Sequence, residues 1–184
     1  MKEDKNRVCP VELAGSLDNK IRRWIQNPQK ILAPYIKEGM KAVDVGCGPG
    51  YFTIEMAKMV GVGGKVIAAD LQEGMLQKVK SKIAGTGLEK IVTLLKCDKD
   101  KINVMEKVDF ILCFYMVHEV PGKENFFKEL KSILAENGQI LIVEPPLHVS
   151  EKEFESTMNF AKGAGLIVHP GPKMILHRTA VLTN

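Results

Sequence analysis

Short apolar runs alternate with amphipathic stretches over most of the chain. Seven runs have the length and the Val, Ile and Leu content of β-strands: residues 42–45, 65–70, 91–97, 108–113, 139–144, 166–169 and 175–182. Several are apolar almost throughout, which is typical of strands covered on both faces of a parallel sheet. Between them, apolar residues recur at helical spacing in four stretches: residues 51–60, 74–84, 123–134 and 151–162.

The connections between these strands predict their directions. Helical or amphipathic stretches join the first five strands, so these strands are expected to be parallel with right-handed crossovers. Only residues 170–174 separate the last two strands, which is too short for a crossover helix, so these two should pair antiparallel. We therefore predict an α/β fold in a single domain: a doubly wound, Rossmann-like, seven-stranded sheet that is mostly parallel and ends in an antiparallel hairpin.

The first strand runs directly into three glycines and then into a helix. Asp44 lies in the strand, and Gly46, Gly48 and Gly50 follow in the order G-x-G-x-G. Glycines in such a turn accept positive φ and leave no Cβ in the way of a ligand, and the helix N-terminus presents free N–H groups. This arrangement predicts a nucleotide-binding unit. An NAD-dependent oxidoreductase is disfavoured, because a dinucleotide site has the spacing G-x-G-x-x-G.

Two sequence motifs carry a resemblance to a known family. The stretch D-V-G-C-G-P-G at residues 44–50 resembles motif I of the class I S-adenosylmethionine-dependent methyltransferases. The stretch V-H-E-V at residues 117–120 resembles the L-H-H-V stretch of the UbiE-like branch. The resemblance covers residues 42–184 and implies S-adenosylmethionine as cofactor. It also implies methyl transfer to a small-molecule acceptor by direct in-line displacement.

Candidate site residues follow the carboxyl ends of the strands, where ligands bind in open parallel sheets. Asp70 ends the second strand and either accepts hydrogen bonds from the ribose hydroxyls or caps the next helix, and Leu71 beside it could pack on adenine. The resemblance adds Asp98 for the adenine amine and Phe114 for the methionine side. The predicted cofactor-binding set is Asp44, Gly46, Cys47, Gly48, Gly50, Tyr51, Asp70, Leu71, Asp98 and Phe114.

Tyr115 and His118 are the candidate catalytic residues. A histidine after the fourth strand either acts as general base or caps the following helix. Glu119 is expected to face solvent, and Glu144 either orients substrate or satisfies a helix end. His177 lies on an alternating strand and is expected to be structural.

Residues 1–41 are predicted to form an N-terminal helical appendage to the methyltransferase domain of residues 42–184. Residues 16–18 offer a cap for one helix, and Pro28 opens a second, with Ile31, Leu32 and Ile36 on one face. In the family, the segment before the first strand often covers the active site. Trp24 is therefore interpreted either as an anchor of the first helix or as part of the substrate mouth.

Composition narrows the choice of partners. The chain has 184 residues and a net charge of +4, and its basic residues interleave with acidic ones, so nucleic-acid binding is not implied. No apolar run approaches the roughly 20 residues of a membrane span, and the N-terminus has no apolar signal core, so no membrane partner and a cytoplasmic location are expected. The four cysteines form no C-x-x-C pair and no H-E-x-x-H motif is present, so no metal site is predicted.

Several alternatives stay open at this stage. A quinone-type ring is the acceptor that the UbiE-like stretch suggests, an arsenite-type or thiol acceptor is suggested by Cys9 and Cys47, and a protein side chain is the runner-up. Methyl transfer from a sulfonium depends mainly on orientation, so a dedicated catalytic residue is not required. From a different class, a non-catalytic subunit that binds S-adenosylmethionine and acts as a scaffold also fits the short chain.

Overall fold

The computed structural model describes residues 26–175 and 177–184. The interpretations of the first predicted helix, Trp24 and Cys9 lie outside the described residues. The strands are β1 Lys41–Val45, β2 Lys65–Asp70, β3 Val92–Lys96, β4 Val108–Phe114, β5 Leu134–Glu144, β6 Ile167–Pro170 and β7 Arg178–Thr183. The α-helices of the described chain are α1 Pro28–Leu32, α2 Tyr51–Val60, α3 Glu73–Ile83, α4 Lys123–Ile133 and α5 Glu151–Gly163.

All seven strands form one sheet in the order β3-β2-β1-β4-β5-β7-β6. The first five are parallel, and β7 pairs antiparallel with both β5 and β6. The predicted fold class is therefore confirmed. The chain moves outward from β1 to β3 in one direction and from β4 in the other, so the order reverses between β1 and β4. In such sheets, ligands bind outside the carboxyl ends of the strands at this position.

Hydrophobic cores lie on both faces of the sheet, as the continuous apolar strands predict. Along β1, Val43 and Val45 belong to one core and Ala42 to the other. Helices α4 and α5 cover the first core, to which Phe127 contributes a fully buried ring. Helices α1, α2 and α3 cover the second, in which Met56 is fully buried. Burial on both faces holds the carboxyl ends of β1, β2 and β4 in fixed positions.

Two predicted strand boundaries are wrong. Strand β5 begins at Leu134 rather than at residue 139, because Leu134 pairs with Val108 before an irregularity in register brings Gln139 opposite Phe110. Strand β7 begins at Arg178 rather than at residue 175. The chain turns just before it, where the backbone N–H of His177 donates to Met174 O at 3.2 Å. No helix among the described residues has the length and apolar character that a membrane crossing requires.

Candidate functional site

A cavity opens at the carboxyl ends of β1, β2 and β4. Its wall comes from four segments: the glycine turn after β1, the end of β2, the loop after β3 and the residues that follow β4. Ten of the predicted site residues line it: Asp44, Gly46, Cys47, Gly48, Tyr51, Asp70, Leu71, Asp98, Phe114 and Tyr115. Gly50 and His118 do not.

Hydrogen bonds to the end of β2 hold the glycine turn in place. The backbone N–H groups of Gly46 and Cys47 donate to Ala69 O at 2.8 and 3.1 Å. Gly48 has φ +52°, and a Cβ added there would meet nothing within 4 Å. Gly50 has φ +84° just before α2, and a Cβ there would lie 3.0 Å from Val79. Gly48 thus leaves open space at the cavity, whereas Gly50 allows α2 and α3 to pack closely.

Asp70 joins the glycine turn to the start of α3. Its Oδ2 accepts from Gly48 N at 2.9 Å and its Oδ1 accepts from Gln72 N at 2.8 Å. The residue is 7% exposed, and burial raises the pKa of its carboxyl group, although these hydrogen bonds oppose that rise. A carboxylate has about four acceptor positions. Asp70 therefore retains capacity to accept hydrogen bonds from a ligand in the cavity.

The carboxylate of Asp44 is buried under the turn. Thr53 Oγ1 on α2 donates to Asp44 Oδ2 at 2.6 Å. Both residues are almost completely buried, so this bond connects β1 to α2 beneath the cavity floor. Asp44 therefore stabilises the geometry of the glycine turn as well as lining the cavity.

The described cysteines are buried thiols. Burial raises the pKa of Cys47 well above its usual value and that of Cys97 to about 12. Both side chains are accordingly protonated at neutral pH, which disfavours them as metal ligands or nucleophiles. No group of three or more potential ligands for a metal ion occurs among residues 26–175 and 177–184.

The loop after β3 closes the far side of the cavity. Asp98 is exposed and accepts from Asn103 Nδ2 at 2.9 Å. Glu129 on α4 accepts from the backbone N–H groups of Ile102 and Asn103 at 2.8 and 3.1 Å. Sequence reasoning missed Glu129, because its position within a helix gave no signal that it contacts this loop.

Aromatic side chains form the wall after β4. Tyr115 has a left-handed backbone with φ +62°, which is uncommon for a residue other than glycine and typical of functional sites. Its ring stacks on His177 with centroids 5.6 Å apart, and Phe114 lies beside it with centroids 4.5 Å apart. Gln26 Nε2 donates to the Tyr115 hydroxyl at 2.7 Å and lies 3.2 Å from His177 Nε2. His177, expected to be structural, therefore packs against a residue that lines the cavity.

His118 lies in a short 3-10 helix, Val117–Glu119, behind the cavity wall. Its backbone N–H donates to Glu144 Oε1 at 3.0 Å, and its Nδ1 lies 2.5 Å from Glu144 Oε2. Glu144 is only 1% exposed. The hydrogen bond between His118 Nδ1 and this carboxylate, which acts as the acceptor, raises the pKa of His118 against the opposing effect of burial. Glu144 thus satisfies the end of the 3-10 helix, which is one of its two predicted roles.

The prediction that Glu119 faces solvent is wrong. Its side chain is 24% exposed and lines the cavity, with Oε1 3.9 Å from His118 Nε2. Burial raises the pKa of Glu119 to about 7. Periodicity could not reveal this residue, because the three-residue 3-10 helix that it ends is too short to show a repeating inward face. Its position after the fourth strand was the available signal.

Comparison with known proteins assigns the chain to a family. A family model described as a methyltransferase domain matches residues 36–170. A demethylmenaquinone methyltransferase of Lactobacillus johnsonii is 31% identical over 79% of this chain and 62% of its own length. The Bacillus subtilis protein of the same name is 28% identical over 67% of this chain and 52% of its own length. The chain thus spans between about half and two thirds of the length of these curated relatives.

A solved structure shows the same fold over nearly the whole chain. The crystal structure of a SAM dependent methyltransferase from Aquifex aeolicus is 30% identical and superposes with a TM-score of 0.83. The match covers 95% of this chain and 97% of that one. The chain therefore belongs to the methyltransferase domain family, as a class I, S-adenosylmethionine-dependent enzyme.

Proposed function

We propose that this enzyme transfers the methyl group of S-adenosylmethionine to a small, quinol-type aromatic acceptor by direct in-line displacement. The observation that carries the proposal is the single cavity that combines the glycine turn and Asp70 with the aromatic wall of Phe114 and Tyr115. The names of the relatives in Lactobacillus johnsonii and Bacillus subtilis support a quinone-type ring.

The glycine turn and Asp70 fit the cofactor. The open space at Gly48 accommodates a ligand directly against the backbone. Asp70 has acceptor capacity for the two ribose hydroxyls, and Leu71, which is 38% exposed, offers an apolar surface for adenine. We assign Asp98 to the adenine amine and Phe114 to the methionine side. The other predicted residues either complete the binding set or support the glycine turn: Asp44, Gly46, Cys47, Gly50 and Tyr51.

The aromatic wall would orient the acceptor. When bound, S-adenosylmethionine supplies an electrophilic methyl group on a good leaving group, so the protein's main tasks are to align the acceptor and exclude water. Tyr115 presents a ring face beside Phe114 and is fixed by Gln26 and His177. A flat aromatic ring would stack on such a surface. The His118–Glu144 pair lies behind the cavity wall and would assist by holding the segment after β4 in place.

The N-terminal appendage would cover the acceptor side of the cavity. Gln26, the first described residue, contacts Tyr115 through its side chain and accepts a 2.9 Å hydrogen bond from the Tyr51 hydroxyl through its carbonyl. Both tyrosines line the cavity. The chain thus reaches the cavity wall immediately before α1, which supports a covering role for residues 1–41.

The acceptor can be tested by transfer of a labelled methyl group. Purified protein, labelled S-adenosylmethionine and a reducing agent would be incubated with a demethylated 1,4-naphthoquinol, a catechol or a mixed peptide substrate. We expect label in the naphthoquinol, and a Tyr115→Leu variant should raise KM by about tenfold through lost stacking. Tyr35→Leu is a matched control, because Tyr35 stacks on Phe110 away from the cavity.

Other outcomes would overturn the assignment. Label in the peptide alone would identify a protein methyltransferase. Binding of S-adenosylmethionine without transfer to any acceptor would favour the scaffold subunit. Equal effects of the Tyr115 and Tyr35 variants on KM would remove the proposed role of the aromatic wall.

A further inference from the structure

The acidic side chains around the cavity differ in whether their oxygens are already used. Four of these carboxylates accept hydrogen bonds from donors in the described chain: Asp44 from Thr53, Asp70 from Gly48 and Gln72, Asp98 from Asn103, and Glu129 from Ile102 and Asn103. Asp100 is exposed. Glu119 is the exception among the half-buried ones, because no hydrogen-bond donor of the described chain reaches its carboxylate. A half-buried carboxylate with unused acceptors favours a cationic or donor ligand.

The charged surroundings of Glu119 are mixed. His118 Nε2 lies 3.9 Å from its carboxylate and favours its ionised form, whereas Glu144 and Asp70 oppose ionisation. Lys123 interacts electrostatically with His118, and Lys99 and Lys101 also line the cavity. With burial as the dominant influence, the pKa of Glu119 is about 7. The charge of this residue in the cavity wall therefore changes near neutral pH.

We propose that Glu119 is the residue by which this cavity prefers the cationic cofactor over its uncharged thioether product. The proposal rests on the proposed function, since it assumes that S-adenosylmethionine occupies the cavity. Cofactor and product differ by one methyl group and one positive charge, so hydrogen bonds to the groups they share cannot discriminate between them. A carboxylate in the same partly desolvated cavity can, because charge interactions are stronger there than in water.

The charge of Glu119 links this preference to pH. A bound cation stabilises the ionised carboxylate, so binding shifts the group toward its deprotonated form and releases a proton near pH 7. The uncharged product lacks the sulfonium charge and releases less. The preference for S-adenosylmethionine over S-adenosylhomocysteine should therefore increase between pH 6 and pH 8, as Glu119 ionises.

Calorimetric titration tests the proposal without any turnover. Wild type, Glu119→Gln and Glu136→Gln would be titrated with S-adenosylmethionine and S-adenosylhomocysteine at pH 6, 7 and 8, in buffers of different ionisation enthalpy. Glu136 is the matched control, because it is exposed, lies near the amino end of β5 and does not line the cavity. At pH 8 we expect Glu119→Gln to reduce the affinity ratio of cofactor to product by about tenfold, mostly through the cofactor. At pH 7, wild type should release more protons on binding the cofactor than on binding the product, and this difference should disappear in Glu119→Gln.

Each contrary result has a distinct meaning. Equal proton release by wild type with the two ligands would overturn the proposal even if the variant failed to fold. An equal loss of affinity for both ligands in Glu119→Gln would also overturn it, as would proton release that persists in that variant and so originates at another group such as His118. Failure of wild type to bind S-adenosylmethionine at all would instead overturn the proposed function.

Discussion

At the scale of single residues, two glycines in one turn serve different purposes. A side chain at Gly48 would project into open space at the cavity, whereas a side chain at Gly50 would lie 3.0 Å from Val79 on α3. Both have positive φ, which costs any other L-residue about 1 kcal/mol or more. Gly48 therefore keeps space free for a ligand, whereas Gly50 allows α2 and α3 to pack closely.

Alanine substitutions should show this difference. Gly50→Ala should lower the free energy of unfolding by about 2–4 kcal/mol, because steric overlap with Val79 adds to backbone strain. Gly48→Ala should cost about 1 kcal/mol in stability but weaken S-adenosylmethionine binding by more than about tenfold. Urea denaturation and calorimetric titration measure the two quantities. Similar stability losses for both variants, with intact binding in Gly48→Ala, would contradict this distinction.

The His118–Glu144 pair should make stability depend on pH. The hydrogen bond that Glu144 accepts from His118 raises the folded-state pKa of His118, so the stabilising effect of this bond is fully present below the unfolded value of about 6.5. The effect is lost as pH rises through the raised folded value. Wild type should therefore exceed His118→Gln in stability most at pH 6 and less at pH 8, as measured by urea denaturation. Glu144→Gln should remove this pH dependence as well, and a constant difference across the range would rule out the linkage.

Residues with a chemical signature were predictable from sequence, whereas residues placed by loops were not. Asp70 and the glycines follow strands, where the topology of a parallel sheet brings them together. Glu119 stands in the V-H-E-V stretch where the family pattern has a histidine, and Glu129 lies in no motif, so neither residue was assigned to the site. Their burial depends on how the segments after β3 and β4 fold. The contact between Tyr115 and His177 joins positions 62 residues apart in sequence (177 − 115), so spacing alone could not predict it.

At the scale of elements, α5 has a complete N-terminal cap. Ser150 Oγ accepts from Glu153 N at 3.2 Å, and Glu153 Oε2 accepts from Ser150 N at 2.8 Å. This reciprocal arrangement satisfies two backbone donors that a helix start would leave unpaired. It holds α5 against the first core, where Met158 and Ala161 are buried.

Removing this cap should destabilise the protein modestly. Ser150→Ala should cost about 1 kcal/mol, which lowers Tm by about 2–4 °C for a chain of this size. Ser132→Ala is the matched control, because that hydroxyl only donates to Glu129 O within α4. Differential scanning calorimetry measures both variants. An equal change in Tm for the two would show that the cap contributes nothing of its own.

Elements with strong periodicity were predicted to within about a residue. Helix α2 begins and ends where its apolar spacing and flanking glycines predict, and α5 begins after its predicted cap residue Ser150. Strand β5 extends further than predicted, because Leu134 pairs with Val108 on β4 ahead of the turn-forming sequence Glu136-Asn137-Gly138, which lies within the irregularity in register. This long-range pair is a tertiary contact that a single sequence does not report.

At the scale of the whole molecule, sheet order explains why the site lies where it does. The order reverses between β1 and β4, and the glycine turn, Asp70 and Tyr115 all follow strands near this point. Cores on both faces keep these strand ends fixed while the loops supply the specific contacts. The fold thus predicts the position of the cofactor, whereas selection of the acceptor by the loops and the N-terminal segment stays a proposal.

The most direct test of the account is calorimetric titration of the purified protein with S-adenosylmethionine, with NADH in parallel. We predict a dissociation constant in the micromolar range for S-adenosylmethionine, no binding of NADH, and a loss of at least about tenfold in affinity for Asp70→Ala, because hydrogen bonds to a charged group are removed. Binding of NADH instead, or unchanged affinity in a folded Asp70→Ala variant, would contradict the assignment of this cavity to S-adenosylmethionine.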